Sequence, residues 1–470
     1  MVPTLDLPAA KTLGDALRRV SYNEESIEEL LGEDAWTTAL EDVPVHERRL
    51  PQSPLATAIR LFFLELPVER AAAEHALGSA GVGALERTGL AQIGKQVSPK
   101  ARIAPVENLL LASDRLSTNP TDDPPDYVST YSPTARLCDL LTPRPQVERA
   151  LDVGTGNGVQ ALLIADHSEH VVATDVNPRA LGFTELNAAL SGLDNVECRR
   201  GSLFEPVEGE QFGLITCNAP FVVSPERRWT YRDGSHDGDE LSAQIVRESV
   251  GHMAPDGFAT LMVSWLGRSS DEPDEHVVEW IAGSGCDSWI LPIDEASPLE
   301  HAERWNAHLA GNGTVYGETL DRWTSYLDEL GAGVVTEGAV ILHRREGHNT
   351  SRIDEIDENE LDAADIQIRR AFDTRARLDG HDLLDARIAP VDELSVEMLL
   401  RRGNVPGARV TLEDGTWPVL DVSPAAADVI ADLDGLRTLR ELSATSDAVA
   451  SCRELLELGA LELLGVTSAV

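Results

Sequence analysis

Asp152-Val153-Gly154-Thr155-Gly156-Asn157-Gly158, DVGTGNG, closes the apolar run ALDVG (150–154) and opens the helix-like stretch GVQALLIADH. A strand that feeds a glycine-rich turn and then a helix is the opening unit of a doubly wound α/β sheet. Glycine is needed there where the backbone takes positive φ, or where a ligand must touch it with no Cβ in the way. A GxGxG is a weak signal alone, because dinucleotide-binding domains begin in a similar way. The third glycine comes one residue early for GxGxxG, however, and Asp152 precedes the turn. An acidic side chain at that place suits an ammonium group, whereas a dinucleotide needs a helix end free for phosphate. The plain alternative is a strand-to-helix turn with no ligand.

Outward from the turn, strand-like and helix-like segments alternate. HVVATDV (170–176), LITCN (214–218), FATLMVSWL (258–266), SWILPI (288–293) and VVTEGAVILH (334–343) are apolar, β-branched runs separated by helical stretches, and VECRRG (196–201) reads as a further, polar strand. With ALDVG they give seven strands, and runs of this kind predict a largely parallel sheet with helices on both faces.

Three further signals follow at strand ends. Asp175 ends the second strand, where a carboxylate can accept both hydroxyls of a ribose; Val176 follows it, and Asn177-Pro178 reads as a helix start. Gly201-Ser202-Leu203-Phe204 follows the third strand. Serine offers only a hydroxyl there, so contacts to an adenine amino group fall to the backbone of Ser202 and Leu203. Asn218-Ala219-Pro220-Phe221 ends the fourth strand. An asparagine oxygen and the carbonyl of the next residue can accept both hydrogens of an sp² amino group, an aromatic ring can stack on its plane, and proline stiffens the turn. Such chemistry needs no general base, because a sulfonium methyl is a strong electrophile and positioning does most of the work.

The spaced set therefore predicts an S-adenosylmethionine-dependent N-methyltransferase acting on a planar nitrogen. Its donor residues are Asp152, Gly154, Thr155, Gly156, Gly158, Asp175, Val176, Ser202, Leu203 and Asn218. Its catalytic residues are Asn218, Ala219, Pro220 and Phe221. Beyond the motif, Arg227, Arg228 and Arg232 with Trp229 and Tyr231 form a basic-aromatic cluster that reads either as a substrate-recognition loop or as a plain solvent loop. His236 with Asp233, Asp237 and Asp239 lacks ligand spacing and reads as loop polarity, so no metal is expected.

At 470 residues the chain is too long for one core. Residues 1–118 show helical apolar spacing (Ile27, Leu30 and Leu31, then Leu55, Ile59, Phe62 and Phe63), followed by a helix stopped near Gly89 and short strands, which predicts a winged-helix-like module. Residues 119–346 form the α/β domain, entered through the acidic, proline-rich loop 115–130. Residues 347–470 open with the acidic run IDEIDENELDAAD and end in helices, a glycine stop at Gly459 and a strand, predicting a second winged-helix-like module. The hexapeptide ARIAPV occurs at Ala101 and again at Ala386, without the surrounding period of a repeat.

Composition bounds the rest. Cys138, Cys198, Cys217, Cys286 and Cys452 are isolated, which argues against a zinc site or a disulfide scaffold and fits a reducing compartment. No apolar run approaches the roughly 18 residues that cross a bilayer, and residues 1–25 lack a secretion signal, so a cytoplasmic protein is expected. The formal net charge of −41 repels phosphate backbones, which weakens a nucleic-acid partner without excluding one.

With these residues in view, positions 125–345 resemble class I methyltransferases of the small-domain type, in particular the release-factor glutamine N5-methyltransferases, whose motif is Asn-Pro-Pro-Tyr/Phe. The whole chain is similar to actinobacterial relatives that surround this domain with extra modules. The resemblance implies Asp152, Gly154, Gly156 and Asp175 on the donor, Asn218 to Phe221 on the acceptor, and a release-factor-like protein as partner. Ala219 replaces the usual proline and Ser202 the usual aspartate, while Phe221 also occurs in enzymes that methylate adenine or guanine of RNA. Three functions stay open: methylation of a protein glutamine amide, N-methylation of a base in ribosomal or transfer RNA, and a catalytically silent donor-binding regulator, against which the intact Asn218 argues.

Overall fold

The computed structural model describes residues 4–466 apart from 33–34, 37–41, 118–120, 122, 219, 228–235, 357–360, 362, 379–381, 402–403 and 413–419. The chain starts with α1 (Leu7–Arg19), α2 (Glu24–Leu31), α3 (Val43–Arg49) and α4 (Pro54–Ala58), followed by β1 (Val68–Glu69) and α5 (Arg70–Thr88). Gly89, at φ 72°, caps α5 in the left-handed region that glycine alone takes freely. Strands β2 (Ala91–Ile93) and β3 (Gln96–Pro99) then form, with β1, a three-stranded antiparallel sheet, and β4 (Arg102–Val106) pairs with β5 (Leu109–Ser113).

The central domain comprises α6 (Pro133–Leu140), β6 (Val147–Val153), α7 (Val159–Leu163), β7 (Ser168–Asp175), α8 (Pro178–Ser191), β8 (Val196–Arg200), β9 (Phe212–Cys217), α9 (Glu240–His252), β10 (Met253–Gly267), α10 (Glu275–Ile281), β11 (Cys286–Ala296), α11 (Pro298–Asn306), α12 (Gly313–Glu329), β12 (Val334–Arg344) and β13 (Ser351–Ile353). All seven strands expected from the sequence are present. The sheet has eight strands rather than seven, in the order β13-β11-β12-β10-β9-β6-β7-β8. The eighth, β13, adds parallel to the edge of β11; three residues, Ser-Arg-Ile, carry no apolar run to announce a strand. Only β12 runs against its neighbours.

Helix α8 is buried on nearly every side, its polar Arg179, Thr184 and Asn187 included. One face covers the sheet. The other lies in the core of the N-terminal module, where Phe183, Leu186 and Leu190 pack with Leu13, Leu17 and Leu77. Each such side chain contributes about 1.5–3 kcal/mol when taken out of water. The fit leaves no slack: a Cβ on Gly14 of α1 would stand 2.1 Å from the Leu190 carbonyl oxygen.

The C-terminal segment has α13 (Ala364–Leu378), β14 (Ala386–Pro390), β15 (Leu394–Arg401), β16 (Asn404–Leu412), β17 (Leu420–Val422), α14 (Pro424–Ala431), α15 (Ser446–Glu457) and β18 (Leu461–Val466). Gly459 turns the chain at φ 72° into β18, which pairs with β14. The two ARIAPV copies thus pair differently, one with β5 and the other with β18. Helix α13 buries Phe372 edge-on against Phe258 and Trp289 of the central sheet.

Candidate functional site

The sheet order reverses between β6 and β9, and ligands of open α/β sheets bind beyond the carboxyl ends of strands at such a switch. Register fixes what stands there. Val153 of β6 is level with Thr174 of β7 and with Cys217 of β9, so Gly154, Asp175 and Asn218 each lie one residue past the same row. Asp175 and Asn218, 21 and 64 residues beyond Gly154 in the chain, are brought beside it by strand pairing, and a cleft of about 500 Å³ opens above them. Asp152, Gly154, Thr155, Gly156, Asp175, Val176, Ser202, Leu203, Asn218, Pro220 and Phe221 all line it.

The glycine turn is held by local bonds. Gly154, Gly156 and Gly158 have φ of 69°, 57° and 88°. A Cβ on Gly156 would meet nothing, so bare backbone faces open space. Gly158 does not line the cleft. A Cβ there would approach Thr184 Cγ2 to 2.7 Å, so this glycine serves the packing of the turn on α8.

Asp175 accepts from the backbone N–H of Gly156 at 3.0 Å and of Asn177 at 2.8 Å, one on each carboxylate oxygen. Each oxygen keeps a lone pair for a further donor. Burial raises the Asp175 pKa, against those backbone bonds. Asp152 is 1% exposed and accepts from the Thr216 hydroxyl at 3.0 Å and the Ala161 N–H at 3.2 Å. Burial pushes its pKa up to about 7.

Ser202 is exposed, and its N–H donates to the Glu205 carboxylate at 3.2 Å. Leu203 adopts φ 47°, a conformation costly for a leucine, and its carbonyl accepts from Thr174 Oγ1 at 3.2 Å. Of the backbone groups expected to contact adenine, these two are therefore already engaged.

Ala219 lies outside the described residues, as do Arg228, Trp229, Tyr231, Arg232 and Asp233. Arg227 is committed within its own loop: its guanidinium donates to the Ser224 and His236 carbonyls and pairs with Asp237 at 2.7 Å. Asp239 accepts from Leu266 N and faces His276 at 2.9 Å. No cluster able to hold a metal ion exists among the described residues, and none of the five cysteines is in a disulfide.

Several residues of the site are not announced by any motif. The segment Tyr127–Thr130, with Ser132 and Thr134, also lines the cleft. Trp305, from the helical insertion between β11 and β12, also lines it and packs against the small cluster that holds Val222. Its indole N–H donates to Glu337 at 2.8 Å, which fixes the ring. Burial pushes Glu337 up and drives the adjoining His301 down to about 4; His301 Nε2 stands 2.9 Å from the Val223 carbonyl. His301 is thus neutral at physiological pH and donates there.

The lining contains the carboxylates of buried Asp152 and half-buried Asp175 and no lysine or arginine among the described residues. Such a wall opposes a pyrophosphate and favours a cation. Asn157 Nδ2 and Gln160 Oε1, buried in residues that line the cleft, lack hydrogen-bond partners among the described residues.

The reversed sheet with this cleft at its switch point is a Rossmann-like arrangement. Residues 133–264 match the model of the methyltransferase small domain, and residues 19–101 match a domain of unknown function (DUF7059). The chain is similar to the ribosomal protein uL3 glutamine methyltransferase of Bradyrhizobium diazoefficiens, 33% identical over 170 residues that cover 30% of this chain and 52% of that protein. It is likewise similar to the release factor glutamine methyltransferase of Deinococcus radiodurans, 34% identical over 149 residues, 26% of this chain and 53% of that one. The chain spans about half the length of these relatives. Among solved structures, a methyltransferase from Pyrococcus furiosus is 17% identical, covering 50% of this chain and 90% of that one at a TM-score of 0.30. Domains of this family take their methyl group from S-adenosylmethionine, and the bare Gly156 backbone, the open lone pairs of Asp175 and the cation-friendly wall fit that donor.

Proposed function

We propose that this chain methylates the side-chain amide nitrogen of a glutamine in a protein. The observation that carries the reading is the register that sets Asn218 level with Gly154 and Asp175, so that a planar nitrogen held by the Asn218–Phe221 turn lies in the cleft that receives the donor. S-adenosylmethionine, when bound, supplies an electrophilic sulfonium methyl. The protein's part is orientation. Asp175 receives the ribose hydroxyls, Asp152 the ammonium group, and the glycine turn lets the ligand lie against backbone. Asn218 accepts an N–H of the substrate amide and directs the nitrogen lone pair, while Phe221 and Trp305 bound its plane. Holding two reactants in this way is worth about 7–11 kcal/mol of barrier, with no base needed in the site.

The names of the glutamine methyltransferases above support the amide as acceptor, and the charge of −41 favours a protein over a polyanion. A second reading, N-methylation of adenine or guanine in ribosomal or transfer RNA, is favoured by Trp305, because two aromatic walls suit a base. Methyl-labelled donor incubated with the enzyme and a cell lysate separates them. Label lost to protease and found as N5-methylglutamine supports the amide; label lost to nuclease overturns it.

A further inference from the structure

The N-terminal module is bonded to the donor turn, and one side chain makes the connection. Asn187, on α8, is fully buried. Its Nδ2 donates to the Asn157 carbonyl of the glycine turn at 2.8 Å and to the Ala112 carbonyl of β5 at 2.9 Å, and its Oδ1 accepts the Ala112 N–H at 2.8 Å. The turn and the module's last strand thus share one amide. Farther along α8, Ser191 Oγ accepts from Leu110 N at 3.0 Å and Arg18 donates to the Leu190 carbonyl at 2.9 Å.

A second connection runs through the start of α8. Arg179 forms a two-pronged pair with Asp114, 2.6 and 3.0 Å, and donates to the Asp126 carbonyl at 2.8 Å. Asn177 Nδ2 donates to the same carbonyl at 3.1 Å, and Asp114 accepts the Val128 N–H at 2.8 Å. Tyr127 to Thr130, which these bonds hold, wall the donor cleft. The residues that leave the N-terminal module are therefore part of the donor site.

We propose that the N-terminal module is a working component of the donor site, with Asn187 as the positioning residue that couples β5 to the glycine turn. This rests on the reading of the cleft as the donor site. Buried charge-free hydrogen bonds left without partners on both sides would let the turn and the strand move apart, and whatever ligand stiffens one must stiffen the other. A partner that binds or displaces the module would change donor affinity by the same route.

The test uses the full chain and S-adenosylhomocysteine. Asn187→Leu, similar in shape and without polar atoms, is expected to weaken binding measured by calorimetry on the order of tenfold. Independently, hydrogen exchange on the unaltered protein should show the Ala112 amide exchanging on the order of tenfold more slowly at saturating ligand, because coupling is reciprocal. The proposal is overturned if Ala112 exchanges equally with and without ligand, or if a folded Asn187→Leu binds as the wild type does. If Asn187→Leu does not fold, the exchange result decides alone. Asp175→Ala separates the two claims: unchanged affinity in that variant removes the donor-site reading itself, whereas weakened binding with no protection at Ala112 removes only the coupling.

Discussion

Asp152 gives the donor site a pH signature that follows from its burial. Its carboxyl is 1% exposed and titrates at about 7, so near neutrality it is only partly ionised. If the charged form is the one that receives the donor's ammonium group, the apparent dissociation constant is the intrinsic one divided by the ionised fraction. That fraction is about one half at pH 7 and about one thirtieth at about pH 5.5, so binding should weaken about fifteenfold across this interval. The donor's own amino group stays mostly protonated below about pH 7.7 and adds little to the slope. Asp152→Asn should bind about ten- to a hundredfold more weakly at neutral pH, from the loss of a charged hydrogen-bond partner, and should show no slope. The sign for stability runs the other way. A pKa raised above the unfolded value near 3.8 means that the fold favours the neutral carboxyl; this contribution is complete below about pH 3.9 and lost as pH rises through about 7, so the donor should stabilise the protein more at about pH 7.5 than at about pH 6. Calorimetric titrations of wild type and variant from pH 5.5 to 7 read the effect. A flat wild-type profile, or the same slope in Asp152→Asn, refutes the role given to this carboxylate.

Asp175→Ala removes the acceptor of two backbone N–H groups as well as the partner of the ribose, so donor affinity should fall at least tenfold by calorimetry; equal affinity would free the residue from the donor. Gly158→Ala forces a side chain into φ 88° and against Thr184, and should cost about 1–3 kcal/mol in urea unfolding while also weakening the donor; an unchanged midpoint would contradict the packing role. Trp305→Ala should raise the acceptor KM on the order of tenfold and leave the donor dissociation constant within twofold. Loss of donor affinity instead would place the indole on the wrong side of the cleft.

Much of the central domain was legible because burial on both faces makes parallel strands read as unbroken apolar runs: ALDVG, HVVATDV and LITCN each end where a site residue begins. Strand β13 was not, since Ser-Arg-Ile is too short and polar to announce a strand, and the hairpin β15–β16 was passed over although LSVEM (394–398) alternates apolar and polar residues. The wall from Tyr127 to Thr130 was read as a loop because Asp122, Asp123, Pro124 and Pro125 dominate the composition there. The dense hydroxyls and aromatics of Tyr127 to Thr134 were the available signal for a ligand wall. Trp305 carries no local signature at all; it reaches the cleft only through the packing of α11 against β12, and Asn187 likewise looks like an ordinary helix residue until β5 is laid against it. Gly158 shows the opposite error, a motif residue whose task is packing.

The central claim is that Asn218 grips the acceptor nitrogen beside a donor bound by other residues. Single-turnover transfer from methyl-labelled S-adenosylmethionine by wild type and Asn218→Ala, with donor affinity measured on the same preparations, tests it most directly. A fall in transfer of at least about a hundredfold, with the donor dissociation constant within about twofold, is the predicted result. Transfer that persists in Asn218→Ala, or parallel loss of transfer and donor affinity, would contradict it.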